Sequence, residues 1–244
     1  MVMKRKWGLA ASLLVIAVMT SGCMYQGEIE RQQENPAYVR EELARVQGAI
    51  DQYFQARGVY PIKNSSPETP VYEKYVIDFK KLAQSGMLSG IPRNAFEQGG
   101  RFYYVLVEPE TNPKVKLMDL VVFRQAADLQ QAVDAYVSAS GGKLPLGIEL
   151  AQGFYSVDFD ELGEKVVQVQ SFYSGAYLPF VLSASGTVGI DYGLDIVQAA
   201  RQSGRTEFAE DADVRALLVE AYPFVPVKSF PYRWANGEPK LSEF

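Results

Sequence analysis

The chain has 244 residues, 24 basic and 29 acidic, with no histidine and a single cysteine, Cys23. That acidic balance argues against nucleic acid as a partner, because binding there is driven largely by Lys and Arg neutralising phosphates. The missing histidine removes Ser-His-Asp and Cys-His nucleophiles, imidazole acid–base steps and nearly all catalytic zinc sites. Carboxylate, Ser-Lys and oxygen-ligand metal chemistry remain.

Lys4, Arg5 and Lys6 give the chain a positive start, and Trp7 to Met19 form an uncharged, mostly apolar stretch too short to span a bilayer. Thr20-Ser21-Gly22-Cys23 then places small residues before the sole thiol. The pattern resembles the lipobox of bacterial membrane lipoproteins, although Thr20 stands where that family usually carries leucine. The resemblance implies that residues 1–22 are a signal peptide and that the sulfur of Cys23 receives a diacylglycerol. Each buried methylene would contribute roughly 0.8 kcal/mol to anchoring. The expected location is the outer, extracytoplasmic face of the cell membrane. Residues 1–22 hold three basic and no acidic residues, so the chain from Cys23 onward carries a net charge of −8. That charge argues against a polybasic contact with anionic lipid. Lacking a second cysteine, the exported domain forms no internal disulfide and depends on apolar packing.

Residues 23–35 read as a polar tether. A first α+β module follows over 36–124. Asn35-Pro36 supplies a capping residue and a proline at the first helical position. Val39, Leu43, Val46, Ile50, Tyr53 and Phe54 fall on one helical stripe, and Gly58 and Pro61 end it. Asp78 reads as the N-cap of a short helix through Ser85. Apolar runs over 102–107 and 115–123 flank the turn residues Pro109 to Pro113, which predicts a hairpin.

A second module over 125–204 repeats that order. It has a helix over 126–138, a break at Gly141-Gly142, a turn capped by Asp158, and strands near 178–183 and 187–191. Gln47, Ala49, Asp51 and Tyr53 recur as Gln130, Ala132, Asp134 and Tyr136. Gly58-Val59-Tyr60-Pro61 matches Gly142-Lys143-Leu144-Pro145, and Ile77-Asp78-Phe79 with Leu82 matches Val157-Asp158-Phe159 with Leu162. Matches in one order predict two degenerate repeat modules, each an amphipathic helix, a short capped helix and an antiparallel hairpin. The fold class is α+β, since no regular βαβ alternation appears.

After the modules come a helix from Leu194 to Gln202, a C-terminal helix from Asp213 to Ala221, and a proline-punctuated aromatic tail, with 205–244 as the last segment. Tyr222, Phe224, Phe230, Tyr232 and Trp234 in that tail are the candidate binding surface. They form either a strip for a partner or a strap over the modules.

Gln47 to Pro61, a helix followed by G-x-Y-P, is similar to the segment after the long helix of type II and type IV pseudopilins. With a lipidated cysteine as anchor, pilus assembly is not implied. The helix, Tyr-Pro and [IV]-D-F-x-x-L patterns together resemble the YphF-type lipoproteins of spore-forming Gram-positive bacteria. That resemblance spans the chain after the signal peptide and implies no particular activity.

Chemical motifs are thin. Ser140-Gly141-Gly142-Lys143 matches an SxxK string, but its serine closes a helix where an SxxK nucleophile opens one. Asp158-Phe159-Asp160-Glu161 and Asp211-Ala212-Asp213 lack the spacing of calcium loops; Asp158 and Asp213 read as helix N-caps. No cofactor, metal or catalytic residue is assigned. The expected function is a non-catalytic interaction or assembly module with an envelope protein or wall-polymer partner. The alternative is a lipoprotein receptor for a wall polymer, peptide or solute, marked by a deep cleft between the modules lined by Tyr and acidic groups. A carboxylate-based envelope hydrolase ranks third.

Overall fold

The computed structural model describes residues 35–242. Cys23, the signal peptide and the tether up to residue 34 lie outside the described residues. The architecture combines helices with antiparallel hairpins, an α+β fold. Among the described residues no helix is long and apolar enough to cross a membrane.

Helix α1 (Pro36–Arg57) starts where the Asn35 side chain accepts from the Ala37 N–H at 2.9 Å. It buries Val39, Val46, Ala49 and Ile50 and ends at Gly58, whose left-handed φ of +70° suits a residue without Cβ. The chain then doubles back so that Ile62 bridges Ile77. Asp78 caps α2 (Phe79–Gln84) by accepting from the Lys80 and Lys81 N–H groups. Strands β1 (Phe102–Val107) and β2 (Lys114–Asp119) form the first hairpin. Residues 75–77 join the free edge of β1: the Ile77 N–H donates to Tyr104 and the Leu106 N–H to Tyr75, each at 2.8 Å.

The apolar run expected as a strand over 115–123 divides at Asp119. Up to that residue it is β2. Beyond it is α3 (Leu120–Ala139), capped by the Asp119 carboxylate on the Val121 N–H at 2.9 Å. The helix therefore starts well before the expected 126, and the expected joint between 124 and 125 falls inside it. A continuous apolar run carries no periodicity to separate strand from helix.

A hairpin that the sequence reading lacked comes next, β3 (Leu146–Ala151) with β4 (Phe154–Val157), turning at Gln152-Gly153. Asp158 caps α4 (Phe159–Leu162). Strand β6 (Tyr177–Ser183) then pairs with β4, with β5 (Gln168–Gln170) and with β7 (Val188–Ile190). Helix α5 (Gly193–Ser203) follows β7 and closes at Gly204. The last helix, α6 (Ala216–Ala221), is shorter than expected. Asp213 does not cap it: its carboxylate is taken by the backbone N–H and guanidinium of Arg215. The proline-punctuated tail ends in a hairpin. Strands β8 (Tyr232–Ala235) and β9 (Glu238–Leu241) turn at Asn236-Gly237, where both φ angles are positive, as a type I′ turn requires.

Before that hairpin the tail runs along both sheets. The Leu117 N–H of β2 donates to the Pro223 carbonyl, the Leu117 carbonyl accepts from the Val225 N–H, and the Ile190 N–H of β7 donates to the Lys228 carbonyl at 2.8 Å. The β1–β2 hairpin is buried on both faces. Phe102, Tyr104, Leu106, Val115 and Leu117 pack with α1 and α2, while Val105, Val107 and Met118 enter the larger core of α3, β4–β7, α5 and α6. Burial on both sides accounts for a strand without alternation.

The two halves share specific bonds. Gln47 accepts from the Val115 N–H and donates to the Pro113 carbonyl and Asp51; Gln130 accepts from the Val188 N–H and donates to the Gly186 carbonyl and Asp134. The Asp78 N–H donates to Pro61 as the Asp158 N–H does to Pro145.

Candidate functional site

A groove of about 560 Å³ opens where residues 70–71, α3, the start of β7 and the tail meet. Its apolar walls are Ala126 and Ala127 on α3, Val188, Phe230 and the prolines 70 and 231. Gly189 sets the position of Phe230. A Cβ there would lie 2.4 Å from the ring, so only glycine lets the ring lie across β7, where it meets Phe154 edge to face at 4.9 Å.

Two cations line the same groove, each fixed from behind. Arg215 has a side chain only 6% exposed. Its Nε and Nη2 donate to the Asp213 carboxylate, its Nη1 donates to the Ser229 carbonyl at 2.7 Å, and its guanidinium lies 5.0 Å from the centre of the Tyr72 ring. Lys228 adopts a left-handed φ of +53°, a conformation that costs a residue bearing Cβ roughly 1–2 kcal/mol. The buried Glu73 holds it there, accepting from the Lys228 N–H at 2.7 Å and pairing with Nζ at 3.2 Å. Nζ also sits 4.3 Å from the centre of the Phe123 ring. Opposite, Gln130, Gln131, Asp134 and Thr187 make the polar rim. Among the described residues no tyrosine lines the groove and Asp134 is its one acidic residue, and the β1–β2 hairpin is buried on both faces.

Of the five aromatic tail residues, only Phe230 reaches this groove. Tyr222 meets Tyr173 edge to face and donates to Gln202. Phe224 stacks on Phe172 at 4.4 Å against the core that α1 and α2 share with the first hairpin. Tyr232 is buried, donating to Asp191 at 2.6 Å and accepting from the Tyr192 N–H. Trp234 packs on Phe208. Ser140 and Lys143 do not meet as a nucleophile–base pair: the hydroxyl bonds to backbone carbonyls and the ammonium pairs with Glu161. Among the described residues no three His, Cys, Asp or Glu side chains gather as a metal site.

A separate buried carboxylate lies in the first turn of α5. Asp195 is 1% exposed; its Oδ2 accepts from the Ser171 hydroxyl at 2.8 Å, and its Oδ1 has no partner among the described residues. Burial pushes its pKa up, against the lowering pull of the Ser174 and Ser171 hydroxyls. The neighbouring Tyr173 hydroxyl is also unpaired among the described residues, and burial raises its pKa. The adjoining cavity is about 20 Å³, too small for a ligand.

Comparison with known proteins adds one finding. Residues 39–119 match the YphF family N-terminal domain. The match covers one third of the chain. The matched segment ends at Asp119, where β2 hands over to α3. It thus contains α1, α2 and the first hairpin, and contributes Pro70, Val71 and Glu73 to the groove and its support. No curated protein and no solved structure matches.

Proposed function

We propose that the chain is a lipid-anchored, non-catalytic interaction module on the extracytoplasmic face of the membrane. Two related α+β modules, the first of them YphF-type, are joined by the tail and present the groove as their contact site. The groove carries this reading: it is concave, largely apolar and lined by a few polar groups pinned from behind, the usual form of a binding site. Anchoring is supported by the lipobox-like run ending at Cys23. The shared Gln47 and Gln130 bonds support the related modules.

The test is cross-linking in living cells with a photo-reactive residue at Gln131, on the exposed rim of the groove, followed by mass spectrometry. The Cys23→Ser chain is the control. One dominant protein partner, lost in the control, is expected. Unchanged membrane fractionation of Cys23→Ser, or a turnover activity abolished by one carboxylate substitution, would overturn the reading. The groove's volume favours a second reading, a receptor for a wall polymer, peptide or solute. That reading takes over if no protein is captured in stoichiometric amount.

A further inference from the structure

We propose that the groove binds the carboxylate end of a short peptide, with its small side chains on Ala126, Ala127 and Val188 and its carboxylate on Arg215 and Lys228. This deepens the binding-module reading and rests on it. The donor inventory points to the ligand. A guanidinium has five N–H donors and an ammonium three. Arg215 commits its donors to Asp213 and the Ser229 carbonyl, and Lys228 commits one to Glu73. Both are left with donors unmatched among the described residues. The backbone N–H groups of Ser229 and Phe230, on the same wall, have no acceptor among the described residues either. This end of the groove therefore offers donors and calls for a group that accepts, and a carboxylate takes several N–H groups at once.

Alternatives fit less well. Sugars stack on open aromatic faces, but the Phe230 ring lies against Gly189 and Phe154, and the groove has no Tyr or Trp. A phosphate dianion requires surplus positive charge, whereas each cation here already faces a carboxylate and the chain is acidic overall. A single carboxylate on charge-assisted bonds suits that near-neutral surrounding. Asp134 and Gln131 in the same lining offer partners for the backbone amides of an extended peptide. Alanine at 126 and 127 presents only methyl groups, which small apolar side chains can cover.

The test is fluorescence anisotropy of labelled tri-alanine on the full-length chain in detergent, with a free C-terminal carboxylate and as the C-terminal amide. The free acid is expected to bind, with the amide weaker by about tenfold or more, since a charge-assisted bond is lost. Ala127→Trp fills the groove from an exposed helix position, so it should abolish binding while leaving the thermal midpoint unchanged. Lys228→Gln should weaken the free acid and leave the amide unaffected. Equal binding of acid and amide, full binding by Ala127→Trp, or binding of neither peptide would overturn the proposal. If neither peptide binds but cross-linking at Gln131 captures a protein, this inference falls and the interaction reading stands. If the acid binds and no protein is captured, the inference stands on the receptor reading and the protein-partner reading falls.

Discussion

Gln47 and Gln130 hold their hairpins by matching bonds, yet the polar groups buried in the two halves are treated differently. In the first half Asn94 is fully buried and accepts from the Tyr104 hydroxyl at 2.7 Å, beneath the backbone of Gly100. In the second, Asp195 has one satisfied oxygen and one without a partner among the described residues, beside a Tyr173 hydroxyl that likewise has none among them. One local frame thus carries a satisfied polar pair, which fixes packing, and an unsatisfied one, which leaves stability open to protonation. Buried polar groups specify structure when paired and cost stability when not.

The largest expected effect breaks the satisfied side. A Cβ at Gly100 would lie 2.2 Å from the Asn94 carbonyl carbon, a backbone atom that cannot swing aside. Gly100→Ala should therefore cost about 3 kcal/mol in denaturant unfolding. Gly189→Ala, opposed by a ring, should cost less. Next come the clamps. Gln47→Ala and Gln130→Ala should each cost about 2 kcal/mol, since each strips a partner from a strand N–H. Strongly unequal losses would show that the shared bonds do not mean a shared role. Smaller still, Tyr104→Phe should cost about 1 kcal/mol through its lost bond, while Tyr173→Phe should be neutral or stabilising, because its hydroxyl has no partner among the described residues.

The last effect has the opposite sign and depends on pH. Burial raises the pKa of Asp195 above its ordinary 3.8, so the folded chain holds that proton more tightly than the unfolded one. Its contribution to stability is full below the unfolded pKa and is lost as pH rises through the raised folded value. Asp195→Asn should match the native chain below pH about 4 and exceed it by an increasing margin above, to about 1 kcal/mol. Thermal melts across pH would show it. A constant difference at all pH values would remove Asp195 as the source.

Much of the local structure was legible in the sequence because its signals are local. Asn35, Asp78 and Asp158 cap helices as their neighbours suggested, and the α1 stripe buries Val39, Val46 and Ile50 while Phe54 at its end stays exposed. Two hairpins were missed although Gln152-Gly153 and Asn236-Gly237 mark their turns, and prolines nearby drew the tail toward an extended reading. The start of α3 was hidden because strand and helix share one apolar run. The groove was nearly invisible. Gln130 and Asp134 stood out only as repeat matches and Phe230 only as a tail aromatic, while Arg215, Lys228 and Glu73 carry no local pattern. Residues 155 positions apart meet there, and composition does not encode which distant segments meet.

The course of the tail has a consequence for how the chain is made. Synthesis runs from the N-terminus, so the outer edge of β2 is complete at residue 119 and that of β7 at residue 190, well before residues 223–228 can cover them. Until then both rows of unpaired backbone groups are templates for strands of other chains. The final stretch acts as a late seal, and a chain truncated before Pro223 is expected to aggregate, even though most of both cores precedes that point.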